Sequence, residues 1–157
     1  MASDKTASAL KFAEIAYSYR NSKIPYSKLD CQAFVEQVLA DALGVRHDWK
    51  GSNDMWRNAL SWKGTPDECI KKFGCIPSGA WLFTLKQDGG EIKRGYKDGL
   101  GNAAHVGIYT GMGRGAMHSS TGGVAQCAAS RHKARHSHRA LPMFATHRHL
   151  HKLANYL

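Results

Sequence analysis

Beyond Asp98 the sequence has no carboxylate side chain: all 12 Asp and Glu residues lie at or before that position. Residues 99–157 instead carry Arg114, Arg131, Lys133, Arg135, Arg139, Arg148 and Lys152, together with eight of the nine histidines. A catalytic base in this half cannot take its orienting acid from the same half. No run of 18 apolar residues occurs, which excludes a long apolar membrane-spanning helix. "MASDKTASAL" holds no apolar stretch of signal-peptide length, so export by a leader peptide is not expected. Cysteine is scarce. Cys31, Cys69, Cys75 and Cys127 are irregularly spaced, which argues against a disulfide framework and for free thiols. No internal repeat is visible, and no lysine-serine pair follows the glycines of "GMGRG", which removes a phosphate loop.

The 157 residues present are 43% hydrophobic, enough for one sizeable core, and a single domain over 1–157 is expected. A formal net charge of +10 favours a polyanionic partner. The basic, His-rich C-terminal segment, about 130–157, reads as a solvated face that gains charge below about pH 6.5 and adheres to an anionic polymer. Nucleic acid is the weaker choice, because "RHKARHSHR" lacks the interleaved aromatic residues on which bases stack.

Phe12, Ile15, Ala16 and Tyr19 recur at helical spacing and predict a helix over 5–20, with Asp4 or Ser3 as its cap. Cys31, Phe34, Val35, Val38, Leu39 and Ala42 form one stripe of a second helix, which Gly44 ends. Residues 45–78 are mixed, with a short helix around 53–60. Trp49, Trp56 and Trp62 in this stretch are packing residues rather than a sugar platform. From Gly79 the period becomes two, as on a half-buried strand, and "KQDGGEIKRGYKDGLGN" is a long polar connection. "AHVGIYTG" and "GAMHSST" read as two strands of a hairpin, and a further strand is expected near 141–147. Helices first and strands after define an α+β fold.

If Asp30 is the N-cap, Cys31 stands at a helix N-terminus, where about half a positive charge and unpaired N–H groups favour a thiolate. The charge of Asp30 opposes this, so activation needs a cationic neighbour, usually an imidazolium. His105, Gly107 and Tyr109 share one face of a strand. With an even number of residues in the hairpin loop, His118 joins that face. The resulting row has Cys31 as nucleophile, His105 as base and then acid, and His118 holding the second nitrogen of His105. Taken alone, a cysteine on an apolar helical stripe is an ordinary core residue.

"LDCQAFV", "AHVGIYTG" and "AMHSS" resemble, in that order, the three signature blocks of the NlpC/P60 family of papain-like cysteine peptidases, usually D-C-S-G-F-V, H-V-G-I-Y and a strand with a histidine before small residues. The likeness covers roughly residues 10–120 and implies a papain-like fold with N-terminal helices on an antiparallel sheet. It assigns the nucleophile to Cys31, the base to His105 and the orienting residue to His118. Tyr26 in "IPYSKLDC" matches a tyrosine that assists the oxyanion site, and Asp30 a position that in some members binds the substrate's free amino group. Gln32 and Ala33 replace Ser-Gly, so Gln32 stands at a substrate-contacting position, and Ala80 replaces an aspartate of the P-G-D-L-V-F block. The resemblance implies cleavage of an amide in peptidoglycan stem peptides, commonly between D-glutamate and a diamino acid, through an acyl-enzyme and without metal or cofactor. It implies action at the cell wall after release or delivery, as by a phage or prophage lysin or a delivered toxin. Other readings remain open: a related thiol amidase or acyltransferase, or a non-catalytic module that binds wall or nucleic acid. A zinc site from Cys69, Cys75, Cys127 and the histidines His132, His136 and His138 is not expected, because the spacing lacks C-x2-C.

Overall fold

A computed structural model describes residues 2–111, 116–120, 123–127 and 141–147. The elements run α1 (Ala2–Ser18), α2 (Cys31–Leu43), α3 (Ser52–Asn58), β1 (Leu60–Gly64), α4 (Pro66–Phe73), β2 (Trp81–Lys86), α5 (Gly90–Lys93), β3 (Asn102–Tyr109), β4 (Ala116–Ser120), β5 (Gly123–Cys127) and β6 (Leu141–His147). The strands form one antiparallel sheet in the order β1-β6-β2-β3-β4-β5. The architecture is α+β. The remainder of the basic C-terminal segment, with His132, His136 and His138, lies outside the described residues.

The helix from Cys31 forms where its pattern predicts. Asp30 caps it, accepting the Ala33 N–H at 2.8 Å, and Gly44 ends it at φ +65°, donating its N–H to Ala40. Phe34, Val35, Val38 and Leu39 are fully buried, and at about 1.5–3 kcal/mol each this stripe contributes on the order of 6–12 kcal/mol as an upper bound. The first helix starts earlier than its pattern suggests, so Ser3 and Asp4 lie inside it rather than ahead of it. Tyr19 follows the helix in a turn, packs edge-on against Phe34 and donates its hydroxyl to Asp41 at 2.5 Å.

Two cores sandwich the sheet. Trp81, Phe83, Val106, Ile108 and Met117 join Phe12 and the α2 stripe on one face. Leu82, Ala80 and Ala116 join Cys69 and Phe73 of α4 on the other. Trp81 through Thr84 are therefore all buried, and β2 is covered on both faces rather than half-buried as its alternation predicts. Trp49 and Trp56 are buried and Trp62 packs on Phe73, so the tryptophans are packing residues.

Residues 45–78 hold more structure than the mixed pattern implies. β1 pairs with the distant β6, and α4 has a complete capping box between Thr65 and Glu68, with Pro66 at its first turn and Gly74 at its end. The long polar connection contains α5. Pro142 is paired to Thr84 of β2, beyond the stretch of β6 that pairs with β1, where a strand tolerates a residue without an N–H.

Candidate active site

Among the described residues, β3 and β4 pair at Ile108 with Met117 and at Tyr109 with Ala116. The connection spans residues 110–115, an even number, so His118 falls on the same face as His105 and Gly107, as the parity argument requires. Nε2 of His105 lies 3.1 Å from Nδ1 of His118, with both rings buried.

The ladder stops where the thiol enters. Tyr109 donates its N–H to the carbonyl of Ala80, just before β2, so by alternation the N–H of Val106 points toward β4, where continued register would set it against Ser119. Instead the Val106 N–H bonds the sulfur of Cys31, and the Ser119 hydroxyl donates to the carbonyl of Leu29, two residues before the cysteine. The start of α2 is thus wedged between two diverging strands. Cys31 itself belongs to the helix-side core, and its sulfur meets the sheet at the Val106 N–H, one residue after His105.

Burial is the largest influence on Cys31 and pushes its thiol pKa up, with the charge of Asp30 adding to it. The Val106 N–H, the Tyr26 hydroxyl and the Gln32 N–H pull the other way. The helix end therefore moderates the thiol without lowering its pKa overall, and any thiolate chemistry here would need a base to take the proton. Tyr26, 3.8 Å from the sulfur, donates to it; partial burial and the neighbouring thiol raise its own pKa to about 12, so it stays an O–H donor. Asp30 Oδ1 is committed to the cap.

Gln32 serves the sulfur through its backbone. Its side-chain amide donates to Glu36 at 2.8 Å and to the carbonyl of Trp49, tying the 47–49 loop to the first turn of α2. Glu36 accepts the Trp49 N–H in return, and its burial raises its pKa. A cavity of about 240 Å³ lined by Lys28, Leu29, Ala33, Glu36 and Arg46 lies beside this turn. At 100° per residue Ala33 and Glu36 face away from Cys31, so this cavity is not the cleft of the thiol. Ala80 is buried under α4, with no room there for an aspartate's charge.

The backbone contribution of Val106 and the polar residues Ser52 and Asn53 behind His105 have no counterpart in the sequence motifs. Nothing local marks them, because their partners are some 50 positions away. Among the described residues no group of three or more His, Cys, Asp or Glu side chains is arranged to hold a metal ion, and no helix is long and apolar enough to cross a membrane. The chain matches no family model, and no curated protein matches it.

Proposed function

We propose that this chain is a cysteine hydrolase of the NlpC/P60 type, cleaving an amide bond in peptidoglycan stem peptides of the D-glutamyl-diamino acid kind. One observation carries the reading: the Cys31 sulfur, at a helix N-terminus, is held by the N–H of Val106, the neighbour of a buried histidine that is itself hydrogen-bonded to a second histidine. A core thiol has no need of such surroundings.

In this reading Nε2 of His105 is engaged by His118, so Nδ1 takes the thiol proton as the sulfur attacks the amide carbonyl. The carbonyl π electrons move to oxygen, and the Cys31 N–H and the Tyr26 hydroxyl stabilise the oxyanion. Loss of one such donor costs about 3–4 kcal/mol. The imidazolium returns its proton to the leaving amine as the C–N bond breaks. A water deprotonated by His105 then opens the thioester, giving the carboxylic acid and the free thiol. Asp30 Oδ2 is the group that meets a free substrate ammonium, while the net charge of +10 draws the protein to an anionic wall polymer at the cell wall. No metal or cofactor is called for, and an anionic wall polymer is preferred over nucleic acid as the partner.

Digestion of purified peptidoglycan followed by mass spectrometry of the muropeptides tests this. Products gaining one water per cut at a stem-peptide amide, absent with Cys31→Ala and His105→Ala, are expected. Transfer of the acyl group to an added amine in place of water would favour a thiol acyltransferase. Full release of peptides by Cys31→Ala would end the proposal, and no turnover by the intact chain would favour a binding module.

A further inference from the structure

β3 carries an irregularity immediately before the histidine. Thr84 pairs with His105 but Leu85 with Ala103, so Ala104 is an extra residue in the ladder. The consequence is geometric. Ala103 and His105, two positions apart, would share a face in a regular strand; the bulge instead puts Ala103 with Leu85 and Phe83 toward the helices and His105 with Thr84 on the opposite face.

The bulge is fastened from α3. The Ser52 hydroxyl donates to the carbonyl of Ala103 at 2.5 Å, and Oδ1 of Asn53 accepts the Ala103 N–H at 2.8 Å. Both backbone groups of this one residue are therefore taken by adjacent side chains. Asn53 is itself locked: its Oδ1 also accepts from Arg57 Nη1 at 3.0 Å, and its Nδ2 donates to Oδ1 of Asn102 at 2.9 Å. Asn102 in turn donates to Asp88 at 2.8 Å, while Arg57 is clamped by both oxygens of Asp98. Ser52, Asn53 and Asn102 are all buried, an unusual concentration of polar groups for a stretch with no chemistry of its own.

The geometry points to Ser52 and Asn53 as positioning residues for His105: by fastening Ala103 at the bulge immediately before it, they fix the backbone from which the imidazole reaches His118, and with it the direction of Nδ1. The inference rests on the assignment of His105 as base. Apolar side chains at these positions would leave the buried N–H and carbonyl of Ala103 unpaired, so the clamp stabilises the bulge and at the same time fixes the direction of the side chain that follows it.

The test compares Ser52→Ala, Ser52→Thr and Asn53→Ala in the full chain. Three readouts are used: iodoacetamide alkylation of Cys31, the His105 ring-proton titration by NMR, and kcat and KM on a stem peptide. All are taken well below each variant's Tm. A misaimed base is expected to slow Cys31 alkylation at neutral pH and kcat together by about 10- to 100-fold, with KM within about twofold. The His105 titration should shift, and Ser52→Thr, which keeps the hydroxyl, should restore all three. If Asn53→Ala does not fold, Ser52→Ala carries the comparison. A Ser52→Ala protein with a lowered Tm but wild-type alkylation and an unshifted His105 titration overturns the inference. These two readouts need no substrate, so an inactive wild type would count against the proposed hydrolase alone and leave the positioning result standing.

Discussion

Nε2 of His105 and Nδ1 of His118 are 3.1 Å apart, and the rings meet edge to face at 86°. One proton fits between them, so the tautomer of one ring dictates that of the other. When the neutral His118 accepts at Nδ1, His105 carries its proton on Nε2 and has Nδ1 unprotonated, the form that the proposed mechanism uses to deprotonate the thiol. A protonated His118 donates instead and forces the His105 proton onto Nδ1. Protonating either ring therefore removes the base of the proposed mechanism.

His118→Gln separates these effects. Its amide oxygen accepts from Nε2–H and does not titrate. Activity within about tenfold of the wild type is expected, with an acid limb of unit slope in place of a steeper wild-type fall. His118→Ala should lose about 100-fold in kcat, at the low end of what a positioned base supplies. The pH-rate profiles of the three proteins decide, and an Ala variant with undiminished kcat would contradict the role.

The thiols should sort by surroundings. Burial and the charge of Asp30 raise the Cys31 pKa, so below that value thiolate is scarce unless His105 takes the proton. Cys69 is raised to about 11 by burial and the nearby Cys75, whereas Cys75 is exposed. Peptide mapping after iodoacetamide at pH 7 should give Cys31 fastest, Cys75 next and Cys69 last. In His105→Ala the Cys31 rate should fall at least about tenfold, below Cys75, and recover only as pH rises past the ordinary thiol range. Equal rates for Cys31 in both proteins would sever the two residues.

The elements of the candidate site are legible in the sequence where their signals are local, and the rest of the scaffold is not where its signals are long-range. A 3.6-residue stripe, an Asx cap and a terminal glycine are local, and they define α2 with Cys31 at its first position. Strand parity is local too, which is why His118 could be set beside His105. The thiol's approach was not legible, because it depends on Val106 and Ser119 failing to pair, a property of two chains diverging around a third. β1 was hidden for a related reason: "LSWKG" becomes a strand only by pairing with residues 144–147. By contrast α4 carries a written signal, Thr65-Pro66 followed by Glu68 and Gly74, which hydrophobic period alone passes over.

Acid should loosen the clamp behind β3. Hydrogen bonds from Arg57 and from the Leu100 N–H hold Asp98 down at about 2, below its unfolded value of about 3.9. A depressed folded pKa gives stability that is present above pH 4 and is lost as pH falls from about 4 toward 2. Asp98→Asn should therefore have a lower Tm than the wild type at pH 6, with the gap closing by about pH 2. A gap independent of pH would mean that the contact is steric rather than ionic.

Asp30 does two opposed things to the cysteine it precedes: it caps the helix that presents the thiol, and its charge makes that thiol harder to ionise. Asparagine caps about as well as aspartate without the charge. Asp30→Asn should keep Tm within about a degree and alkylate faster than the wild type at pH 7. Asp30→Ala should lose about 1 kcal/mol, or about 2–4 °C. If the carboxylate also receives a substrate ammonium, KM for a stem peptide with a free amino end rises in both variants, while a peptide acetylated there is turned over equally by all three. Faster alkylation with a higher KM is thus the expected pairing for Asp30→Asn. Slower alkylation would show that the charge is needed to hold the protonated form of His105 rather than to restrain the thiol.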